Sequence, residues 1–343
     1  MKLKTILLGS AFAAGALTFS VSAEAAGRLN VVCSADNTWC ELMEAEFEKK
    51  YDIDVSMVRK SSGEAYAQVR AEARNPKLDI WWAGTGDPHL QAAAEGLTME
   101  YKSPSLDNLQ DWAKRQAENA NYRTVGVYAG ALGIGYNTDL LKSKGLPAPK
   151  CWKDLANPAY KGEIQVANPN SSGTSYTALA TLVQLFGEED AFKFLKDMHK
   201  NVNQYTKSGS APIKAAAIGE TTIAITFMHD MVTQKEQGAP IDIVSPCEGT
   251  GYEVGSMSII KGARNLENAK IWYEYALSAE AQSMAEKAGS YQVPSNKNAT
   301  VPENAPRLTD IKLIDYDFAK YGSADTRRHL LSRWDEEVKT APQ

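Results

Sequence analysis

From residue 28 onward, short apolar runs alternate with longer amphipathic stretches. Residues 29–33 are an unbroken apolar-rich run and predict a strand, whereas 37–50 place Leu42, Met43, Ala45 and Phe47 among polar positions and predict a helix. The pattern repeats twice, with a strand over 53–58, a helix over 64–74, a strand over 78–82 and a helix over 88–95. Strands alternating with helices of this length predict parallel βαβ units.

Residues 125–137 (VGVYAGALGIGYN) are apolar but too glycine-rich for a helix, so they predict an extended crossing out of this first unit. A second series follows, with strands over 163–167, 221–227 and 241–244 and helices over 174–186 and 188–199. Residues 252–260 resemble a return crossing. The stretches 268–277, 279–288 and 326–339 read as helical, and no internal repeat is present. The fold class is therefore α/β, two lobes joined by two extended hinge crossings. Residues 27–127 and 252–300 make lobe 1, residues 128–251 make lobe 2, and 301–343 form a helical segment packing on the lobes.

The chain begins differently. Lys2 and Lys4 precede an apolar stretch from residue 6 to 21, and Ala23, Glu24 and Ala25 give the small-x-small pattern of a cleavage site. Residues 1–26 thus read as a secretory signal peptide, which places the mature protein in the periplasm. The apolar stretch is short for a membrane span and is broken by Gly9, Ser10 and Gly15.

The 37 basic and 42 acidic side chains give a net charge of −5. This mild acidity excludes a nucleic-acid surface, which needs a clustered basic excess. An anionic ligand would have to be held by local groups. Four cysteines follow an export signal into an oxidising compartment. Cys33 and Cys40 are close enough in sequence to pair, which leaves Cys151 for Cys247, a long loop whose closure should stabilise by about 3–5 kcal/mol. No CxxC occurs and no histidine is close to a cysteine in sequence, so a metal site is not expected.

Candidate chemistry gathers at strand ends. Ser34 to Asn37 follow the first strand, Ser61 to Gly63 the second, and Gly84 to Pro88 the third; Asn170 to Thr174 precede a helix in the second lobe. Each is a small, hydroxyl-rich turn that leads into a helix start. Ligands of open α/β sheets bind beyond the carboxyl ends of strands, where free N–H groups and the helix dipole favour an anion. Helix capping alone wants the same residue types, and it is the four-fold recurrence that points to a shared cleft. His229, Asp230 and Glu253 add groups suited to hydroxyl recognition, since a carboxylate accepts two hydrogen bonds. Trp81 and Trp82 alternate faces in a strand, so at least one belongs to the core. GxSxG, HExxH and a P-loop are all missing, and His229 beside Asp230 has no nucleophile to activate. No catalytic residue, cofactor or metal is expected.

The stretches CSADNTWCE, AGTGDP, LGIGYNTD, CWKDL, GTSYTALATLVQLFGEE, NVNQYTKSG, the HD of FMHD, PCEGTGYE and KGARN carry a resemblance along nearly the whole mature length. The chain resembles the type-2 periplasmic substrate-binding proteins of ABC importers, and within them the Afu-type hexose-phosphate-binding family, a group long described as ferric-ion-binding. The resemblance implies capture of glucose 6-phosphate or a related sugar phosphate by hinge closure, as a monomer, and delivery to an inner-membrane permease and its ATPase. It implies that Ser34, Ser61, Gly63 and Thr85 surround the phosphate, that Ser171, Ser172 and Thr174 meet the ligand from the other lobe, and that His229, Asp230 and Glu253 hold sugar hydroxyls.

The main alternative on the same fold is ferric-ion capture. Hard Fe(III) prefers anionic oxygen, typically a neighbouring tyrosine pair, and residues 208–219 contain no tyrosine while Tyr205 stands alone. A second alternative is another organic phosphate or phosphonate.

Overall fold

A computed structural model describes residues 27–343; the signal peptide assigned to residues 1–26 lies outside the described residues. Ten strands form the framework: β1 (Arg28–Cys33), β2 (Asp54–Arg59), β3 (Ile80–Trp82), β4 (Val125–Asn137), β5 (Ile164–Ala167), β6 (Val202–Thr206), β7 (Ile223–Phe227), β8 (Ile241–Val244), β9 (Tyr252–Ile259) and β10 (Val293–Pro294). Their order is β2-β1-β3-β9-β4-β7-β5-β6, with β8 and β10 pairing onto β4.

The expected βαβ units are present. β1 pairs in parallel with β2 and β3, and β5 pairs in parallel with β6 and β7. The two crossings, β4 and β9, run antiparallel to each other from Val125↔Met257 to Ala131↔Tyr252. Beyond that, β4 pairs with β7 and β8 instead. One strand therefore belongs to both lobes, which is what a hinge segment requires. Its glycines are explained by close packing: a side chain at Gly130 would collide with His229, and one at Gly135 would press on Ile213 and Met231.

Each lobe has its own core. Trp39, Phe47, Trp82, Tyr128 and Trp272 are buried in one cluster, and Trp152, Tyr160, Tyr176, Phe192 and Phe227 in another. The C-terminal segment supplies Tyr316, Tyr321, Leu330, Trp334 and Val338 to the second cluster. It also reaches the first lobe, where Arg327 donates from Nε to Gln91 Oε1 at 2.8 Å.

Both disulfides form as the spacing suggests, Cys33–Cys40 and Cys151–Cys247. Strand β6 and the helices Asp111–Asn119 and Ala211–Ala217 were not predicted. β6 lies at the sheet edge with exposed Asn203 and Gln204, so no apolar run marks it. Among the described residues, no helix is long and apolar enough to cross a membrane.

Candidate functional site

The carboxyl ends of β1, β2 and β3 open onto one cavity, closed from the other side by the start of the helix Gly173–Phe186 and the turn before Ala211–Ala217. Of the residues named from the sequence, Ser34, Ser61, Thr85, Ser172, Thr174, His229, Asp230 and Glu253 line it. Two do not.

Gly63 and Ser171 instead meet each other across the cleft. The Gly63 N–H donates to the Ser171 carbonyl at 3.1 Å, and a Cβ at Gly63 would collide with the Asn170 carbonyl oxygen. The Ser171 hydroxyl is turned to the Lys207 and Asn168 carbonyls. Chain geometry therefore gives these two residues to lobe–lobe contact rather than to the cavity wall.

One part of the cavity lining is built from helix starts. Ser61 precedes the helix Ser62–Ala71, Thr85 precedes Gly86–Ala94, and Ser172 caps Gly173–Phe186 through the Ser175 N–H. The positive ends of three helix dipoles converge there, an arrangement that stabilises an anion. Gly173 is required by this convergence, since any Cβ would run into the Thr85 hydroxyl. Thr85 Oγ1 is buried and has no hydrogen-bond partner among the described residues. A buried, unpartnered hydroxyl at a cavity wall is costly unless a ligand satisfies it.

A second part of the lining carries His229, Asp230 and Glu253. Burial pushes the His229 pKa down to about 3, so the imidazole is neutral. Its Nε2 stands 3.6 Å from Asp230 Oδ1 and 3.8 Å from Glu253 Oε1, beyond hydrogen-bond range, and its Nδ1 is buried without a partner. Burial, reinforced by the charge of Asp36, raises Asp230 to about 7, against the hydrogen bond it accepts from Thr226. Burial also lifts Glu253 well above the carboxylate range, with Asp230 adding to the effect. Three polar groups thus face one space without satisfying one another, which suits recognition of a hydroxylated ligand.

Sequence reasoning missed Arg59. It ends β2, lines the cavity, and donates to the Ala35 carbonyl at 3.0 Å, to Ser61 Oγ at 3.3 Å and to Ser208 Oγ at 3.1 Å. Its signal was present, since it occupies the same strand-end position as the chosen serines, two residues before Ser61. Asp36 precedes the helix Asn37–Tyr51 but makes no cap hydrogen bond; it accepts from Ser210 at 2.9 Å and pairs with Lys214 at 3.2 Å, both from the other lobe. With Lys207–Glu64 at 2.6 Å, these contacts hold the cleft shut.

Tyr128 is the only tyrosine lining the cavity among the described residues. Burial raises its pKa well above the ordinary value and its oxygen accepts from the Gly84 N–H, so it is kept as a phenol and not as a tyrosinate. Tyr205 faces away, its hydroxyl 2.8 Å from His199 Nδ1. Trp81 and Trp82 are both core; Trp81 stacks on His89 and Trp82 packs against Trp39. Cys151, Cys247 and Glu248 lie together, but the two sulfurs are bonded to each other and offer no thiolate to a metal.

Comparison with known proteins agrees with the architecture. Residues 75–321 match the family model of the bacterial extracellular solute-binding proteins. An uncharacterised protein of Haemophilus influenzae is 48% identical over 339 residues, 98% of each chain. The periplasmic binding protein AfuA from Actinobacillus pleuropneumoniae, solved with exogenous fructose-6-phosphate bound, is 48% identical; the alignment covers 92% of this chain and 100% of that one with a TM-score of 0.90. The periplasmic binding protein P5PA is 41% identical, with 91% and 99% covered and a TM-score of 0.88.

Proposed function

The chain belongs to the bacterial extracellular solute-binding protein family, and from that premise we propose that it captures a hexose phosphate between its lobes for an ABC importer. It is a periplasmic solute-binding protein, so its task is to hold a ligand and hand it on rather than to transform it. The observation that carries the ligand class is the polarity of the cavity. Hydroxyl-bearing helix starts from both lobes form one part of its lining, and His229, Asp230 and Glu253 form another. An anionic group at the first and a hydroxylated ring at the second would satisfy both. In this reading Ser34, Ser61, Thr85, Ser172 and Thr174 hold the phosphate, and Gly63 and Ser171 serve closure. The fructose-6-phosphate bound in AfuA supports the ligand class.

Closure completes the site, because Arg59, Asp36 and Gly63 each bond to the opposite lobe. Ligand-driven closure is the hinge motion that a membrane permease can read. Titration calorimetry tests the proposal. Glucose 6-phosphate or fructose 6-phosphate should bind, while glucose and inorganic phosphate alone bind far more weakly. Equal affinity for inorganic phosphate would remove the sugar from the reading.

A further inference from the structure

The hydroxyls of the helix-start end share a polarity. Trp81 donates from Nε1 to Ser34 Oγ at 3.0 Å, and Arg59 donates from Nη1 to Ser61 Oγ at 3.3 Å. The Thr85 N–H donates to Ser62 Oγ at 3.1 Å, and the Ser175 N–H to Ser172 Oγ at 3.4 Å. Tyr128 repeats the pattern, accepting from the Gly84 N–H at 2.9 Å. All five line the cavity, and among the described residues none of these hydroxyls donates to a protein acceptor. The contrast with neighbouring serines is clear. Ser175 donates to the Ala167 carbonyl, Ser171 to the Lys207 carbonyl and Ser210 to Asp36.

A hydroxyl has a single O–H to give. The oxygen keeps two lone pairs, but where the protein donates to it and offers no acceptor in return, its proton is left for the ligand, and a buried donor without an acceptor is costly. The acids around the cavity already have protein partners or stand beside His229. Asp36 has one oxygen on Ser210 and the other beside Lys214, and Glu64 is engaged by Lys207 and the Ser61 N–H. Asp230 and Glu253 sit at the His229 end, and Arg59 can only donate.

We infer that this end of the cavity selects the fully deprotonated, dianionic form of a phosphate monoester over its protonated form, and that Trp81 is the positioning residue that turns Ser34 outward as a donor. The inference rests on the sugar-phosphate reading and adds a specificity to it. Trp81 never touches the ligand; it acts from the core, behind Ser34.

The test compares glucose 6-phosphate with glucose 6-sulfate by calorimetry at pH 5.0, 6.0 and 7.5 on the mature chain. The sulfate ester carries no titrating proton, so changes in Asp36, His229, Asp230 or Glu253 move both ligands, and the ratio isolates the phosphate. With a second phosphate pKa of about 6, the phosphate-to-sulfate affinity ratio should fall about tenfold between pH 7.5 and 5.0. A flat ratio overturns the inference and leaves the sugar-phosphate reading standing. Absence of glucose 6-phosphate binding at pH 7.5 removes both. Trp81→Phe keeps the ring against His89 and removes the N–H, and should shrink the pH-dependent change to roughly threefold or less by restoring rotational freedom to the Ser34 hydroxyl. Ser34→Ala, which leaves the core intact, should shrink it likewise. A full tenfold change in both variants overturns the positioning role.

Discussion

Gly63 donates its backbone N–H to the carbonyl of Ser171 at 3.1 Å, joining a helix start of one lobe to the turn before the helix Gly173–Phe186 of the other. The two residues, both expected at the ligand, touch each other across the cleft. Closure and ligand capture therefore share the same short segments, and residues that never line the cavity can still set its affinity.

Gly63→Ala separates those roles. Its Cβ would meet the Asn170 carbonyl oxygen, and the three atoms nearest to it all belong to Asn170 and Ser171 of the other lobe. Binding of glucose 6-phosphate should weaken at least tenfold, about 1.4 kcal/mol, with thermal stability of the unliganded protein nearly unchanged. Calorimetry with small-angle scattering checks this; wild-type affinity together with wild-type compaction on ligand addition would refute the closure role.

Asp230→Ala and Glu253→Ala should each lower affinity for a sugar phosphate by tenfold or more. Their effect on inorganic phosphate should be small, because the loss is at the hydroxyl end. If both variants bind glucose 6-phosphate as the wild type does, the hydroxyl assignment is wrong.

Asp87 offers a pH-dependent test of stability. It is fully buried between the lobes, accepts from Thr177 at 3.3 Å and Tyr316 at 3.2 Å, and burial raises its pKa to about 6. A carboxyl with a folded pKa above its unfolded value stabilises fully below about pH 4, and the contribution is lost as pH rises through the folded value. Asp87→Asn keeps an acceptor and removes that charge. Its melting temperature relative to wild type should therefore increase from pH 4 to pH 7, by an amount equivalent to at most roughly 3 kcal/mol. His229 and Asp230 are common to both proteins and cancel in the difference, while Glu253, which the Asp87 charge helps to raise, is eased in the variant and shifts the difference in the same direction. A constant difference across that range would show that Asp87 is not held above its ordinary pKa.

The Cys151–Cys247 bond lies away from the cavity and closes a span of 96 residues. Replacing both cysteines by serine should cost about 3–5 kcal/mol in unfolding free energy. Ligand affinity should stay within about twofold of wild type, by the independence of distant sites. Denaturant unfolding and calorimetry measure the two separately, and a large loss of affinity would tie this bond to the cleft.

Much of the architecture was legible in local pattern. The βαβ alternation, the two crossings at 125–137 and 252–260, the Cys33–Cys40 bond and the hydroxyl-rich turns after β1, β2 and β3 follow from side-chain period and short-range chemistry, and Cys151–Cys247 follows by elimination. Such features are local because strand and helix periods place side chains on faces over a few residues. Strand β6 was hidden because an edge strand need not bury both faces.

Tertiary structure decided the rest. That Ser172 faces the cavity while Ser171 turns to Lys207, that Asp36 pairs with Lys214 instead of capping, and that Arg59 reaches Ser208 all depend on partners more than 140 residues away or on the exact path of one turn. The neutral state of His229 and the raised pKa values of Asp230 and Glu253 come from burial, which no residue carries in its own identity. Sequence determined which chemical groups end at the cleft. Only the closed packing of two lobes decided which of them are desolvated, which are already satisfied and which are left facing the space a ligand would fill.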